Sequence, residues 1–443
     1  MVAKLLTIKC QKEVIMSNQE IIRREQYCQI VHEIFGSDAY LVVGIDVAKQ
    51  THHAFMGTAT GNTLQRKLIF ENNIDGFSRL LKTAEQIKAQ NGLSKIVYGL
   101  EPTGTYYKPL ARYIARCEGN VVLVSGQAVK NNRKILDGRW DKNDTKDAAN
   151  VADLVSRGRC IYYDSPSPEI TELRGLLSLR RRLKKEERSL RMRIRNTLLA
   201  QYFPELDKYY NACESESLAI IKWCLNPDKI ASMEFDQFFR MVTRTHRGIA
   251  QKLRLQNIYQ AAIDSVGCPM GESVEFEAEL LVEWLKNVRQ YVRKTEDLME
   301  EISLDIPEYS YLLTIPGFGP YISARVLASI GDPFRFTNRK QLIKMSGYDL
   351  CANRSGKTSN KAVPVISKQG NSELRYALYQ AATVAAGKTD LFRAYFTKLL
   401  RGRERERGIK TKMRVKLASK MLIIAWTLMK KKEIFDPVYL SAD

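Results

Sequence analysis

Apolar residues recur at strand-like and then helix-like spacings along this chain. From Tyr40 an apolar run of strand length, LVVGIDVAK (41–49), is followed by HHAFMGTA (52–59) and TLQRKLIF (63–70). Three such runs with short connections predict an antiparallel meander. Residues 74–90 have apolar positions near a 3.6 period and predict a helix. KIVYGLEP (95–102) is continuously apolar and reads as a central fourth strand. A helix over 105–117, a fifth strand NVVLVS (120–125) and helices over 127–136 and 144–157 complete the order βββ-α-β-α-β-α-α. That is an α/β arrangement with a mixed sheet.

Residues 168–203 carry no strand signal, and with the helices that follow the fold class is α/β plus α. Leu173, Leu176, Leu183, Leu190 and Ile194 form a seam at 3, 7, 7 and 4 spacing, which is coiled-coil-like. A second long helical stretch runs from Glu275 to Ser303. From Pro307 helices dominate again, interrupted by a polar Gly/Ser/Lys-rich insertion at 353–370. The expected domains are a helical N-terminal extension (1–38), a mixed-sheet domain (39–160), a helical coiled-coil middle (161–305) and a mainly helical C-terminal domain (306–443). Within 1–38, Met16 is a candidate start.

Charge changes the picture. The 443 residues carry 70 Lys and Arg against 49 Asp and Glu, a formal net charge of +21. An excess that large points to nucleic acid as partner, with an acidic membrane surface as the competitor. No apolar stretch approaches the ~20 residues of a spanning helix, and no signal peptide is evident. The expectation is a cytoplasmic, nucleoid-associated protein with no membrane. The eight cysteines and four histidines show neither CxxC spacing nor a zinc-type array. Any metal must therefore be held by oxygen.

Carboxylates supply such oxygens. Asp46 sits inside the apolar run GIDVAK, where an ionised side chain is expensive unless paired or bound to a cation. Glu101 ends the fourth strand, which is plausibly the neighbour of the first. Asp144 and Asp147 are three apart and share a helix face. If these four converge, Mg²⁺ or Mn²⁺ is the natural counter-ion, and phosphoryl transfer the natural chemistry. The plainer alternatives are that Asp46 caps a turn, that Glu101 pairs with a lysine, and that Asp141, Asp144 and Asp147 form a solvated helix face.

Two further features suit nucleic acid. In IPGFGP, Gly317 and Gly319 precede a helix and look like the hairpin of a helix-hairpin-helix element. Glycines there allow close backbone approach, and the helix N-terminus offers N–H groups to a phosphate. The alternative is a tight turn between packed helices. The basic runs at 174–195, with Arg181, Lys184 and Arg188, and at 401–416 suit backbone phosphates; each run is equally readable as a solvated helix face.

The ordered motifs GIDVAK, LEPTG, KNDTKDA, IPGFGP, RSGK and ISKQGNSELRYALY resemble the DEDD transposases of the insertion-sequence one-ten family and the related Piv-type DNA invertases. The resemblance covers about residues 40–158 and 312–432. Residues 204–300 carry no recognisable motif, and the N-terminal lead departs from the family pattern. The likeness implies an RNase H/RuvC-like sheet domain whose four metal-binding acids are Asp46, Glu101, Asp144 and Asp147. It implies a composite site in which a C-terminal serine, placed on Ser355 with Ser367 as runner-up, attacks DNA and forms a phosphoserine. Arg354, Lys357, Lys368 and Arg375 would neutralise phosphate charge around it, though they read equally well as a solvated basic loop. It further implies donor and target DNA as partners, a non-coding guide RNA, and assembly as a homodimer or tetramer. A RuvC-type junction nuclease using water as nucleophile and a non-catalytic DNA-binding protein are the competing functions.

Overall fold

Strand β1 (Tyr40–Asp46) is buried on both sides, which explains its unbroken apolar run. Leu41, Val43 and Ile45 enter one core cluster, while Tyr40 and Val42 enter another. This computed structural model describes residues 33–136, 144–163, 166–210, 215–243, 248–336, 338–351 and 365–441. The chain divides into two compact units, Met1–Pro166 and Ser167–Asp443.

In the first unit, β2 (Thr51–Thr58) and β3 (Thr63–Glu71) continue from β1 as the expected antiparallel meander. Strands β4 (Lys95–Leu100) and β5 (Asn120–Leu123) run parallel to β1, and β6 (Ile161–Tyr162) closes the edge antiparallel. The order is β3-β2-β1-β4-β5-β6, so the first and fourth strands are neighbours, as their sequence order suggested. Strand β6 was not expected. Two residues are too few to show a period of two.

Helices α1 (Ile74–Gln90) and α2 (Tyr107–Arg116) cover one face of the sheet through Phe77, Leu80, Ala84, Leu110 and Ile114. The α1 start is fixed by Asn73, whose Oδ1 accepts from the Gly76 N–H at 2.8 Å. Helices α3 (Gly126–Leu136) and α4 (Asp144–Ser156) cover the other face through Val129, Val151 and Val155. α4 lies directly on the sheet because β1 and β4 offer glycine beneath it. A Cβ at Gly44 would stand 2.2 Å from the Ala148 carbonyl oxygen, and one at Gly99 would stand 2.5 Å from Val155 Cγ2.

In the second unit, α5 (Pro168–Arg193) continues through a π-helical turn at Ile194–Leu199. Its starting Ser167 caps the Ile170 N–H at 3.3 Å. The short helices α6 (Ser215–Cys224), α7 (Pro227–Ala231), α8 (Phe235–Val242) and α9 (Ile249–Ile263) fold against its far end. The long helix α10 (Glu272–Leu304) runs beside α5. The expected seam is only partly the buried one. Leu173, Leu177, Leu190 and Ile194 are buried, whereas Leu176 and Leu183 are half-buried. A straight helix drifts ~20° per heptad away from a 3.5 repeat, so strict seven-residue spacing leaves the contact face. Leu173 and Leu177 belong to one core and Leu190 and Ile194 to another, so α5 spans two cores.

The first of these cores is completed by α11 (Pro307–Leu313), α12 (Pro320–Ile330), α13 (Arg339–Ser346), α14 (Ser372–Lys388), α15 (Asp390–Leu400) and α16 (Ile409–Lys431). Strands β7 (Leu350–Cys351) and β8 (Val365–Ile366) pair antiparallel, Leu350 with Ile366 and Cys351 with Val365. They bracket the segment 352–364.

Candidate metal centre and nucleic-acid interface

Asp46 is the last residue of β1, and Glu101 follows β4 directly. The parallel register pairs Gly44 with Gly99 and Ile45 with Leu100. One further step sets Asp46 beside Glu101. Strand alternation places both on the face of Gly44 and Gly99, the face that α4 covers. Both are half-buried. Glu101 Oε1 lies 2.8 Å from where a Cβ at Gly126 would stand, so the start of α3 closes over this carboxylate. On α4, Asp147 precedes Ala148, the residue seated on Gly44, and is 3% exposed. Asp144 begins α4, one turn earlier. Its side chain and Asp141 lie outside the described residues.

Asp147 has a protein partner. Arg133 of α3 places Nη2 2.6 Å from Asp147 Oδ1. The pair is close yet poorly aligned: Asp147 Oδ1 and Arg133 Nε have no hydrogen-bond partner among the described residues. Within that same set, no three His, Cys, Asp or Glu side chains are grouped to hold a metal ion. The donor chemistry nonetheless fits a hard divalent cation. The candidate ligands are all carboxylates, Glu101 sits in a cradle that a Cβ would fill, and Asp147 keeps an unsatisfied buried oxygen.

The sequence reading missed three residues here: Arg133, Gly126 and His53. His53 is the cross-strand partner of Asp46, and antiparallel partners share a face. The tight β1–β2 connection was the available signal, since it sets the register. Its neighbour His52 points the other way, fully buried between Phe70 and Phe77. Its Nδ1 accepts from the Ala48 N–H at 3.2 Å, and burial pushes its pKa below the ordinary histidine value. Folded His52 thus resists a proton that the unfolded chain accepts. Stability should therefore fall as pH drops through about 6.5, the unfolded value. Urea midpoints measured from pH 7.5 to 5 should decline, and the decline should be shallower in His52→Leu.

In the second unit, the turn at Gly317 and Gly319 joins α11 to α12. Gly317 has φ +91° and packs on α14, where a Cβ would meet the Ala381 carbonyl oxygen at 2.7 Å. Gly319 stands at the start of α12 with no atom within 4 Å of a would-be Cβ, so this backbone is open to approach. Arg354, Ser355 and Lys357 lie outside the described residues. Ser367 is half-buried; its Oγ donates to Asp349 Oδ1 at 2.5 Å and its N–H to the Asp349 carbonyl at 2.8 Å. Lys368 is exposed in the left-handed region (φ +57°). Arg375 donates from Nη1 to the Ser346 carbonyl at 2.8 Å and so braces the end of α13.

The basic run of α5 splits by face. Toward α10, Arg180 pairs with Glu296 and Arg193 with Glu277, both at 2.6 Å. Lys184 pairs with Glu187. Arg181 is 66% exposed with Glu373 at 3.9 Å, and Arg182, Lys185 and Arg188 are exposed. Before and along the first turn of α16, Arg401, Arg405, Arg407, Lys410 and Lys412 are exposed as well. No helix among the described residues is long and apolar enough to cross a membrane.

Residues 43–204 match a family model of IS110-type DEDD proteins described as transposase, and residues 309–397 match one described as transposase of the IS116/IS110/IS902 family. The chain is 23% identical to an uncharacterized protein of insertion element IS116 from Streptomyces clavuligerus, over 89% of this chain and 96% of that protein. It is 23% identical to an uncharacterized protein of insertion element IS110 from Streptomyces coelicolor, over 90% of this chain and 96% of that one. It is 22% identical to the pilin gene-inverting protein of Moraxella bovis, over 89% and 97% of the two chains.

Proposed function

The chain belongs to the IS116/IS110/IS902 family of transposases, and from that membership we propose that it cuts and rejoins DNA through a metal-binding carboxylate site and a serine nucleophile. The observation that carries this reading is that Asp46 and Glu101 stand at the same ends of adjacent parallel strands, on the face covered by the helix that begins at Asp144 and buries Asp147. Asp46, Glu101, Asp144 and Asp147 would hold Mg²⁺ or Mn²⁺. Bound there, the ion supplies charge stabilisation to phosphate oxygens and lowers the pKa of an attacking hydroxyl.

The chain's own residues do the rest. Ser355 Oγ attacks phosphorus; an Oγ–P bond forms as one sugar–oxygen–phosphorus bond breaks. The serine proton leaves and the departing sugar oxygen takes one up. The phosphodiester count is unchanged, so rejoining needs no ATP. The exposed arginines and lysines of α5 and of the region before α16 hold donor and target DNA by their phosphates. The α11–α12 turn acts as a helix-hairpin-helix element, with Gly319 its open backbone position. As in the family that the motifs resemble, a structured non-coding RNA selects the sites. Self-association into dimers or tetramers is supported by α10, which exposes Phe276, Leu280, Trp284, Tyr291 and Leu298 along its length.

The test uses a labelled duplex spanning the junction between the gene's flanking non-coding DNA and the adjoining sequence, with the transcript of that non-coding stretch and Mg²⁺. A denaturation-resistant protein–DNA adduct is expected with wild type and none with Ser355→Ala. Cutting by Ser355→Ala would instead make water the nucleophile. Full DNA affinity with no cutting by wild type would make the protein a binding module.

A further inference from the structure

Burying the Asp147 carboxylate, 3% exposed, costs least when a cation stands beside it. That cation is Arg133, and packing fixes its place. Asn132 Nδ2 donates to Asn150 Oδ1 and Asp153 Oδ2, both at 2.7 Å, and Asn150 Nδ2 donates to the Val129 carbonyl at 2.8 Å. Asn132 and Asn150 are themselves buried. This amide network locks the register of α3 against α4, and the residue after Asn132 meets Asp147 one turn back along α4.

The Arg133–Asp147 contact differs from a settled structural ion pair. Such a pair satisfies its lone pairs and protons on both sides; here Asp147 Oδ1 and Arg133 Nε both lack hydrogen-bond partners among the described residues. The two ends also differ in access, the Asp147 side chain being 4% exposed and that of Arg133 28%. The acid is trapped, whereas the base has a path to solvent.

We propose that Arg133 is a built-in counter-cation that holds Asp147 in the metal-free protein, yields it to a divalent ion, and then offers its guanidinium to a phosphate oxygen of bound DNA. This rests on the metal reading of the acidic quartet. In either state the buried carboxylate faces one cationic partner, so the site is ordered before the ion arrives. Arg133 acts as a positioning residue in the first state and as a phosphate ligand in the second.

Mn²⁺ alone is the probe, with the full-length protein. Its affinity is read by electron paramagnetic resonance, and thermal unfolding is followed with and without it. Removing the competing guanidinium in Arg133→Met should lower the melting temperature of the metal-free protein. It should also tighten Mn²⁺ binding about ten-fold, which corresponds to ~1.4 kcal/mol, and enlarge the thermal shift Mn²⁺ produces. Arg133→Lys, which keeps a charge but loses the fork, should tighten Mn²⁺ binding by a smaller factor and serves where Arg133→Met folds poorly. Asp147→Asn should weaken Mn²⁺ binding and make it insensitive to a second change at Arg133. With Mn²⁺ present, Arg133→Met should lower the salt slope of duplex binding by about 0.9. Unchanged Mn²⁺ affinity in both Arg133 variants, with Asp147→Asn still weakened, would overturn the role of Arg133 and leave the metal site standing. Absence of Mn²⁺ binding by wild type would remove the metal reading and this inference with it.

Discussion

Asp46→Asn should abolish strand exchange while leaving DNA affinity close to wild type. The substitution preserves volume at the end of β1 and removes one negative charge beside Glu101. A cation held by these acids would stabilise charge that develops only in the transition state, so losing a ligand should act on the chemical step; the expected fall is at least ~10²–10³-fold. Binding depends on other residues. The exposed Arg181, Arg182, Lys185 and Arg188 of α5, with the cations around the start of α16, would meet phosphates alike in both proteins. Single-turnover cleavage rates and filter binding on one substrate separate the two quantities. Asp144→Asn should follow Asp46→Asn in both. Wild-type cleavage by either variant would remove that acid from the site.

Gly44→Val should strongly destabilise the first unit. A Cβ there would stand 2.2 Å from the Ala148 carbonyl oxygen and 2.5 Å from the Ala152 amide nitrogen. These are backbone atoms of α4 and cannot swing aside as a side chain can. Relief requires α4 to lift from the sheet, which uncovers Val42, Val97 and Val151 and moves Asp147 away from the strand ends. The expected destabilisation is above ~3 kcal/mol, the upper end for overpacked cores. Gly99→Ala should be milder, because its nearest obstruction is the Val155 side chain. Far-ultraviolet circular dichroism during thermal unfolding should rank Gly44→Val well below Gly99→Ala and wild type. Equal melting temperatures would mean that α4 does not press on β1 as described.

The same two glycines show where the sequence was legible. The runs at 41–49 and 95–102 announced central strands because residues buried on both faces leave no polar alternation, and the chain order then suggested that β1 and β4 are neighbours. Glu101 stood out as an acid at the end of one run and Asp46 as an acid inside the other, although β1 in fact ends at Asp46. Gly44 and Gly99 carried no comparable signal, because a glycine in a strand acquires meaning only when a helix known to cross it is in place. Arg133 was hidden for a related reason. One arginine in a polar helix resembles any solvated cation until the Asn132–Asn150 network fixes which way it points. The α5 seam misled because the two ends of the helix pack into different cores, so one seven-residue spacing does not follow both buried faces and promoted Leu176 and Leu183 over Leu177. Ser355 rests on motif alone: the segment 352–364 has no hydrophobic period, and the described structure gives only its flanks, paired as β7 and β8.

The most direct test of the account is to find which atom of the protein carries DNA after cleavage. The Mg²⁺ reaction is stopped in denaturant, the DNA is trimmed with nuclease, and the peptides are sequenced by mass spectrometry. A serine nucleophile served by the acidic site predicts one nucleotide-bearing peptide, modified at Ser355 and missing from reactions with Asp46→Asn. Cleaved DNA with no modified peptide, or a nucleotide on Ser367, would contradict it.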